Sequence, residues 1–384
     1  MLRFLERGIR GKALTNVHDL NRLRHFLFLE YGTALGSNVH ASPLYEALKC
    51  AVPDAVTMVA CSRMAFEVLQ NNPFIDYLVE TRRPTENTGA AIRCLRGHLK
   101  DTGFVPEVII TSKGNEQRSI ALLSLFLGKA TRMGYTGAPE FYDVLLQPDR
   151  EESLIDNNLR VVERLGYPSI AVEPRVSFSL EDLQKARGLL DRASWNDATP
   201  RVVFITQTSP TQRKSWPRGR FVSVINHTLN VHGARAIFVG TASESENIES
   251  IRADVQGESI NLAGQTTIPH LAALLSLCDY AVSLDTGNMH IARSVGLPMV
   301  ILAPAWQPAI EWLPLGFDQY RIFKGADIPH ATPNYVMDEI GVDEVIAALD
   351  DLFERYPSSQ QSRGERVARG MAHVSTQSRR RLPQ

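Results

Sequence analysis

Two polar segments in the second half of the chain combine residue types that suit an anion. In 206–217, hydroxyl side chains and Lys214 stand directly before Pro217, a residue that favours the first turn of a helix. The other, 285–290, reads Asp-Thr-Gly-Asn-Met-His between an apolar run and a helical pattern. Free amide N–H groups and the helix dipole stabilise negative charge at such junctions. The pattern predicts a phosphate site with Lys214 as its charge contact; a solvated loop before a capped helix is the alternative.

The other residues in and near these segments have either a structural or a ligand-binding role. Gly287 permits a tight turn and close backbone approach, and Thr286 is placed to cap the following helix. No Glu or Gln stands at Met289 to complete a capping box, so the helix amides remain open to an external anion. His290 either contacts a phosphate or is a structural histidine. Glu246, which follows another predicted strand, either holds ribose hydroxyls or sits near a helix N-terminus because the dipole favours an acid there.

The elements that must position these residues alternate between apolar runs and helical spacings along nearly the whole chain. Strands are predicted at 26–30, 56–60, 75–79, 108–111, 130–134, 202–206, 236–239, 259–262, 280–284 and 299–303. Helices are predicted at 39–50, 63–70, 88–100, 116–127, 149–166, 180–193, 217–231, 244–252, 268–277, 289–295 and 341–355. This alternation is typical of parallel sheets with helices on both faces. With 384 residues, the chain is long enough for two such α/β domains, with a boundary near 170–200.

Composition narrows the class of protein. The formal net charge of −1 argues against a nucleic-acid-binding protein. The four cysteines are scattered without CxxC or metal-ligand spacing, which fits a reducing cytoplasm. No apolar run has transmembrane length, and no signal peptide is recognised. No GxGxxG motif follows a predicted strand, which argues against a dehydrogenase.

Both ends of the chain are basic. Residues 1–21 fit a weak basic amphipathic helix on a membrane, or a frayed extension. Residues 355–384 contain seven Arg and one Glu and almost no large apolar residues, so this segment is predicted to be a disordered, solvated tail. Contact with an anionic membrane surface or partner is the alternative for this tail.

The order of the motifs resembles glycosyltransferase family 9, the lipopolysaccharide heptosyltransferases and their relatives. The matching residues are Lys214-Ser215-Trp216-Pro217, Gly240 with Glu246, Leu262-Ala263-Gly264-Gln265-Thr266, Asp285-Thr286-Gly287-Asn288-Met289-His290-Ile291-Ala292 and Gly296-Leu297-Pro298. In the first half, 36–44 resembles the family's G-D-x-x-x-x-x-P-L more loosely, and 52–55 fits the stretch after it. The resemblance covers roughly residues 25–350.

The resemblance implies a GT-B fold, in which two Rossmann-like domains face each other across a cleft. The implied domains are an extension at 1–24, an acceptor domain at 25–180, a donor domain at 181–355 and a basic tail at 356–384. It also implies an inverting enzyme that uses a nucleotide sugar. The implied donor-binding residues are Thr208, Ser209 and Lys214 at the diphosphate, Glu246 at the nucleoside, Asp285, Thr286 and Gly287 around the sugar phosphate, and His290 behind them.

The chain departs from the family's pattern in the acceptor loop, Gly36-Ser37-Asn38. The family's loop has an Asp after the Gly, the proposed general base, and here that position is Ser37. A serine hydroxyl does not accept a proton at neutral pH without an activating partner, and Asn38 does not either. Three interpretations stay open: another group such as His40 is the base, leaving-group stabilisation by Lys214 and helix N-termini carries catalysis, or the protein binds a nucleotide sugar without transferring it.

The sequence therefore predicts an inverting glycosyltransferase that moves a heptose-like sugar from a nucleotide-diphosphate sugar to a cell-surface glycan or lipopolysaccharide-type acceptor. A non-catalytic relative and a nucleotide-sugar epimerase are the alternatives. No metal and no cofactor are expected, because no DxD motif is present. The expected location is the cytoplasm, with peripheral contact at the inner face of the membrane through the basic termini, and no nucleic-acid partner.

Overall fold

The computed structural model describes residues 22–168, 170–193, 198–208 and 213–372. The chain forms two compact units that divide after Arg175, and the second unit ends at Met371. Most of the predicted N-terminal extension and the end of the predicted basic tail, residues 1–21 and 373–384, lie outside the described residues.

A parallel sheet forms the centre of the first unit. Its strands are β1 (His25–Glu30), β2 (Val56–Cys61), β3 (Tyr77–Glu80), β4 (Val108–Thr111), β5 (Thr131–Gly134) and β6 (Val144–Leu145). They lie in the order β3-β2-β1-β4-β5-β6, and every neighbouring pair is parallel. The helices of this unit are α1 (Leu35–Ala41), α2 (Pro43–Ala51), α3 (Arg63–Leu69), α4 (Pro84–Thr102), α5 (Arg118–Leu125) and α6 (Leu154–Arg164).

The second unit also has a parallel sheet. Its strands are β7 (Arg201–Ile205), β8 (Arg235–Phe238), β9 (Ser259–Asn261), β10 (Tyr280–Leu284), β11 (Met299–Ala303) and β12 (Tyr320–Lys324), in the order β12-β11-β10-β7-β8-β9. Its helices are α7 (Leu180–Asp191), α8 (Arg218–His232), α9 (Ser245–Arg252), α10 (Ile268–Ser276), α11 (Gly287–Ser294), α12 (Ala309–Trp312), α13 (Val342–Arg355) and α14 (Gln360–Gly370).

The two sheets have the same topology. Numbered within its own unit, each runs in the order 3-2-1-4-5-6, which is the Rossmann order. The direction of winding reverses between strands 1 and 4, which are β1 and β4 in the first unit and β7 and β10 in the second. Ligands bind outside the carboxyl ends of the strands at such a switch point. The predicted α/β architecture with two Rossmann-like domains is confirmed.

The bounds of β10 and β11 were predicted most accurately, because both strands are continuous apolar runs. β10 and β11 have the predicted bounds, and every side chain in both strands is buried. A parallel strand covered on both faces needs such a continuous apolar run. α8 begins directly after Pro217 and ends at Gly233, whose left-handed φ of +59° suits a residue without a Cβ.

Two predictions around the first switch point are wrong. The segment 36–38 lies within α1 and not in a loop. The single helix predicted over 39–50 is interrupted at Ser42, because Pro43 has no backbone N–H and takes the first position of α2. The Ser42 hydroxyl donates to the Val39 carbonyl oxygen at 2.7 Å, which stabilises this junction.

The prediction of a disordered tail is wrong for 360–370, which form α14. Two arginines of this helix point into the unit. Arg363 Nη2 lies 2.6 Å from Asp279 Oδ2, and both side chains are buried. Arg366 Nη2 donates to the Cys278 carbonyl oxygen at 2.5 Å. Composition alone suggested a solvated segment, because the buried acid that pairs with it lies more than eighty residues earlier in the chain.

The first and last segments of the second unit meet. The Phe178 amide donates to the Gly370 carbonyl oxygen at 3.0 Å, and Phe178 forms a parallel bridge with Met371. A Cβ at Gly370 would lie 2.2 Å from the Phe178 ring, so this close approach requires glycine.

Candidate functional site

A buried lysine–aspartate pair occupies the switch point of the second unit. Lys214 lies in the loop after β7 and Asp285 directly follows β10, so the strand order brings them together. Lys214 Nζ donates to Asp285 Oδ2 at 2.9 Å and to the Asp285 carbonyl oxygen at 3.1 Å. The two side chains are 9% and 1% exposed. An ammonium group held in this way is a fixed positive charge at the carboxyl edge of the sheet.

Two polar atoms beside this pair are buried without a hydrogen-bond partner among the described residues. They are Asp285 Oδ1 and Thr286 Oγ1. Thr286 is the N-cap residue of α11, yet its side chain makes no capping hydrogen bond. Buried polar atoms are normally paired, so such unpaired atoms at a helix N-terminus indicate a place for a polar ligand.

His290 lies behind this position, in the first half of α11. Its Nε2 is 3.7 Å from Asp285 Oδ1. Burial lowers the pKa of His290 to about 4, and the cations Arg293 and Lys214 act in the same direction against the opposing effect of Asp285. The imidazole is therefore neutral at physiological pH and leaves Lys214 as the positive charge next to Asp285.

Contacts that the sequence analysis did not identify hold the Lys214 loop. Trp306 Nε1 donates to the Arg213 carbonyl oxygen at 3.1 Å, and the Trp306 ring centroid lies 5.6 Å from Lys214 Nζ. Trp216 Nε1 donates to the Ile340 carbonyl oxygen at 3.0 Å. Trp306 was identifiable in principle, because it follows β11, whose carboxyl end lies at the same edge of the sheet.

The first unit also has a buried carboxyl group at its switch point, which the sequence analysis missed. Glu30 is the last residue of β1 and is 1% exposed. Its Oε2 accepts hydrogen bonds from Ser112 Oγ at 2.7 Å and from Asn115 Nδ2 at 2.8 Å, both in the loop after β4. Burial raises the pKa of Glu30 to about 7, against the effect of these hydrogen bonds and of Tyr45. An acid at the end of an apolar strand was the available signal.

Ser37 contacts the same loop. A Cβ at Gly114 would lie 3.6 Å from Ser37 Cβ, and Gly114 has a φ of +102°. This loop after β4 contains an acid of its own, Glu116. Its Oε1 accepts hydrogen bonds from Lys113 Nζ at 2.7 Å and from the Gly114 amide at 3.2 Å. Glu116 is partly exposed, unlike Glu30. The predicted acceptor segment therefore lies beside a loop that carries its own carboxylate.

Residues 107–308 match the family model of glycosyltransferase family 9 (heptosyltransferase), which is more than half of the chain. The chain belongs to this family. It is similar to lipopolysaccharide heptosyltransferase 3 of Escherichia coli, with 23% identity over 84% of this chain and 97% of that protein.

Solved structures agree on the GT-B fold of this family 9 member. The family 9 glycosyltransferase from Veillonella parvula superimposes with a TM-score of 0.78 at 17% identity, covering 86% of this chain and 98% of that one. E. coli ADP-heptose lipopolysaccharide heptosyltransferase II superimposes with a TM-score of 0.69 at 17% identity, covering 86% and 99%. The protein is thus a heptosyltransferase-like glycosyltransferase, and the matches favour neither the epimerase nor the non-catalytic alternative.

The structure brings only part of the predicted donor set of this glycosyltransferase together. Lys214, Asp285, Thr286, Gly287 and His290 lie at one position, where β10 meets α11. Their roles toward a donor stay predictions.

The remaining residues of the predicted donor set are Thr208, Ser209 and Glu246. Thr208 is partly buried in the loop after β7, and Ser209 lies outside the described residues. Glu246 is exposed in the first turn of α9. The neighbouring acid Glu244 accepts from the Thr241 amide at 2.7 Å and completes a capping box there.

The L-A-G-x-T motif of the family has a structural role in this chain. Gly264 has a φ of +73°, and a Cβ there would lie 2.7 Å from Ala242 Cβ. The Gly264 amide donates to the Gly240 carbonyl oxygen at 2.9 Å. The motif glycine therefore lets the loop after β9 pack against the loop after β8. Strand β8 is the neighbour of β7 in the sheet.

Asn38 of the acceptor segment and the nearby His40 are both buried. Asn38 Nδ2 donates to the Ala34 carbonyl oxygen at 3.0 Å and to that of Gly32 at 3.3 Å, which fastens the start of α1. His40 lies near the end of α1, not on its first turn, and is 1% exposed. Because the His40 ring is not open to solvent, the structure does not favour it as the general base.

Proposed function

We propose that the second unit binds the diphosphate of an ADP-linked heptose at Lys214 and at the N-terminus of α11. The observation that carries this proposal is the buried Lys214–Asp285 pair beside two polar atoms, Asp285 Oδ1 and Thr286 Oγ1, that have no hydrogen-bond partner among the described residues. The choice of nucleotide and sugar is supported by the similar E. coli protein, an ADP-heptose lipopolysaccharide heptosyltransferase. Lys214 and the N-terminus of α11 attract the phosphate oxygens, and Asp285 Oδ1 accepts a hydrogen bond from a sugar hydroxyl.

In the proposed reaction, an acceptor hydroxyl oxygen forms a bond to the anomeric carbon while the bond from that carbon to the phosphate oxygen breaks. The electron pair of the broken bond leaves with the diphosphate. Lys214 and the α11 amides stabilise this developing negative charge in a buried setting, which is where fixed donors contribute most. We expect these groups to take the role that a metal ion plays in other transferases.

The acceptor hydroxyl must also lose a proton, and Ser37 does not take it. Glu116 lies in the loop that contacts Ser37 and is partly exposed. Glu30 accepts hydrogen bonds from the same loop, but it is buried and therefore not open to an acceptor hydroxyl. We propose that Glu116 accepts the proton and that Glu30 holds the loop that carries it.

The acceptor class follows from the names of the curated relatives, which are lipopolysaccharide heptosyltransferases. We propose a lipopolysaccharide-type acceptor and a cytoplasmic enzyme that meets it at the inner face of the membrane. Within the described part of the chain, no helix combines the length and the apolar character needed to cross a bilayer. Arg363 and Arg366 of the predicted basic tail contact the interior of their own unit, so other basic residues would have to make a membrane contact.

The test is ADP release from ADP-heptose in the presence of a heptose-deficient lipopolysaccharide core acceptor. We expect ADP and the heptosylated acceptor to form in equal amounts. UDP-glucose with the same acceptor is the control for donor selectivity. Tight binding of ADP-heptose without transfer to any core acceptor would favour the non-catalytic alternative, and no binding of ADP-heptose would overturn the donor assignment.

A further inference from the structure

Two histidines and an aspartate converge on the outer face of the second unit. His227 and His232 lie on the C-terminal half of α8, and Asp350 lies on α13. His227 Nε2 is 2.9 Å from Asp350 Oδ1, and His232 Nε2 is 2.6 Å from the same oxygen. One ligand atom from each of the three residues lies within 4.8 Å of those from the other two.

We propose that His227, His232 and Asp350 bind a divalent transition-metal ion, and that the ion is Zn²⁺. Imidazole nitrogen and carboxylate oxygen are the protein ligands that Zn²⁺ takes besides thiolate, at about 2.0–2.2 Å. The H-x₄-H spacing of the two histidines falls within the spacing of known zinc ligands. Around one ion, ligand atoms lie roughly 3.3 Å apart, so each imidazole nitrogen needs to move only slightly away from Asp350 Oδ1 to admit it.

The surroundings of the cluster suit a metal ion. The His232 ring stacks on Phe353 with centroids 3.8 Å apart and planes 9° apart, which fixes the direction of its Nε2. All three side chains are partly exposed, so an ion can enter and a water molecule can complete the tetrahedral set.

The alternative is a hydrogen-bonded cluster without metal, in which both imidazoles carry their proton on Nε2 and donate to Asp350. Two donors on one carboxylate oxygen satisfy that arrangement as well. The two possibilities differ in one property. Only a metal site binds Zn²⁺ at one ion per chain with an affinity that depends on all three residues.

The site stands apart from the transfer chemistry. Lys214 precedes the N-terminus of α8, whereas His232 is the last residue of this helix of fifteen residues, about 22 Å further along its axis. α8 and α13 both pack on the same core, with Val224, Leu229, Val345 and Leu349 among the buried residues. A bound ion would therefore cross-link two helices that cover one face of the sheet, and its effect would be on stability.

The experiment uses the full chain without a polyhistidine tag, stripped with EDTA and dialysed. Titration with ZnCl₂ is followed by calorimetry, and thermal unfolding is measured with and without ZnCl₂. We expect one equivalent of Zn²⁺ to bind and to raise the unfolding midpoint, because an ion that binds the folded state stabilises it. CoCl₂ should give the visible absorption bands of a tetrahedral N/O site.

The variants His232→Gln and Asp350→Asn should weaken Zn²⁺ binding at least about tenfold and abolish the shift of the midpoint. The matched control is His270→Gln, because His270 Nε2 pairs with Asp182 Oδ1 at 3.0 Å in the same unit without a second histidine. This control should leave Zn²⁺ binding unchanged. The proposal is overturned if Zn²⁺ does not bind at one equivalent, if binding persists in both variants, or if the variants lower the midpoint equally with and without ZnCl₂.

Discussion

The switch point of the second sheet buries a carboxylate against a cation, whereas that of the first buries a carboxyl group among neutral donors. Asp285 lies 2.9 Å from the ammonium group of Lys214. Glu30 accepts hydrogen bonds from Ser112 and Asn115, and its pKa is raised to about 7 by burial. The strand order is the same in both units, so the residues at the strand ends, and not the topology, decide which charge each edge presents.

This difference matches the two halves of a group transfer. A fixed cation beside unpaired polar atoms suits the charged diphosphate of a donor. An edge whose buried acid is partly protonated near neutral pH suits an uncharged hydroxyl of an acceptor. Two Rossmann-like units with one topology can therefore serve different substrates by changing only a few residues at one point of each sheet.

The largest expected effect is the loss of the cation. Lys214→Met should lower kcat/KM for transfer by about 10²–10³-fold, because it removes a fixed donor from the leaving diphosphate. It also leaves Asp285 buried without its partner, at a cost of about 3–5 kcal/mol in the free energy of unfolding. Activity is measured as ADP release, and stability as the urea midpoint.

Two further variants distinguish a loss of transfer activity from a loss of stability. Lys214→Met combined with Asp285→Asn removes both charges, so it should recover stability without recovering transfer. Lys49→Met breaks a lysine–aspartate pair of similar length in the first unit, where Lys49 Nζ lies 2.7 Å from Asp76 Oδ2, and should leave transfer nearly unchanged. Full activity in Lys214→Met would contradict the donor assignment.

The second prediction concerns Glu30 and the pH dependence of stability. Its folded pKa of about 7 lies above the ordinary value of 4.5. The folded state therefore holds a proton that the unfolded state has released, and stability falls as pH rises from about 4.5 to 7, by about 3 kcal/mol. Glu30→Gln cannot ionise and should lack this fall. Urea midpoints between pH 4.5 and 8 test this, and parallel curves for the two proteins would contradict it.

His290 should make stability depend on pH in the opposite direction from Glu30. Its folded pKa of about 4 lies below the ordinary value of 6.5 because the ring is buried. Stability from this group is complete above pH 6.5 and is lost as pH falls toward 4, again by about 3 kcal/mol. His290→Gln should remove this loss. Since the two slopes oppose each other over nearly the same range, the wild-type protein should show a flatter curve than either single variant.

The smallest expected effect concerns the proton acceptor. Ser37→Asp places a carboxylate at the family's base position and should raise kcat by about tenfold, since general-base catalysis contributes about 10²–10⁴-fold when fully aligned. Glu116→Gln should lower kcat with little change in the KM for the donor. The double variant should recover part of that loss. If Glu116→Gln retains wild-type kcat, leaving-group stabilisation alone carries the reaction.

The sequence was most informative where one local pattern decides the structure. The apolar runs of β10 and β11 predicted both strands to the residue, because a buried parallel strand leaves no room for polar side chains. Lys214 and Asp285 were each predicted at a phosphate site, although 71 residues separate them in the chain. Their direct contact depends on β7 lying next to β10, which a sequence pattern does not specify.

Predictions failed where a distant partner decides the structure. α14 has the composition of a solvated tail, but Asp279, more than eighty residues earlier in the chain, stabilises it by pairing with Arg363. Glu30 was missed because an acid at the end of an apolar strand can equally be exposed at the sheet edge. The loop with Ser112 and Asn115, which lies far along the chain, surrounds its carboxyl group with hydrogen-bond donors. In both cases long-range hydrogen bonds or ion pairs outweigh the local pattern.

The hydrogen bond between the Phe178 amide and the Gly370 carbonyl oxygen has a consequence for modularity. Because the second unit begins and ends at neighbouring points, a gene fragment for 176–371 could be replaced by that of another family member with both junctions at one place. Under the proposed donor assignment, such chimaeras are expected to exchange donor preference while keeping the first unit intact. Gly370 would have to be kept, since a side chain there would push the two junctions apart.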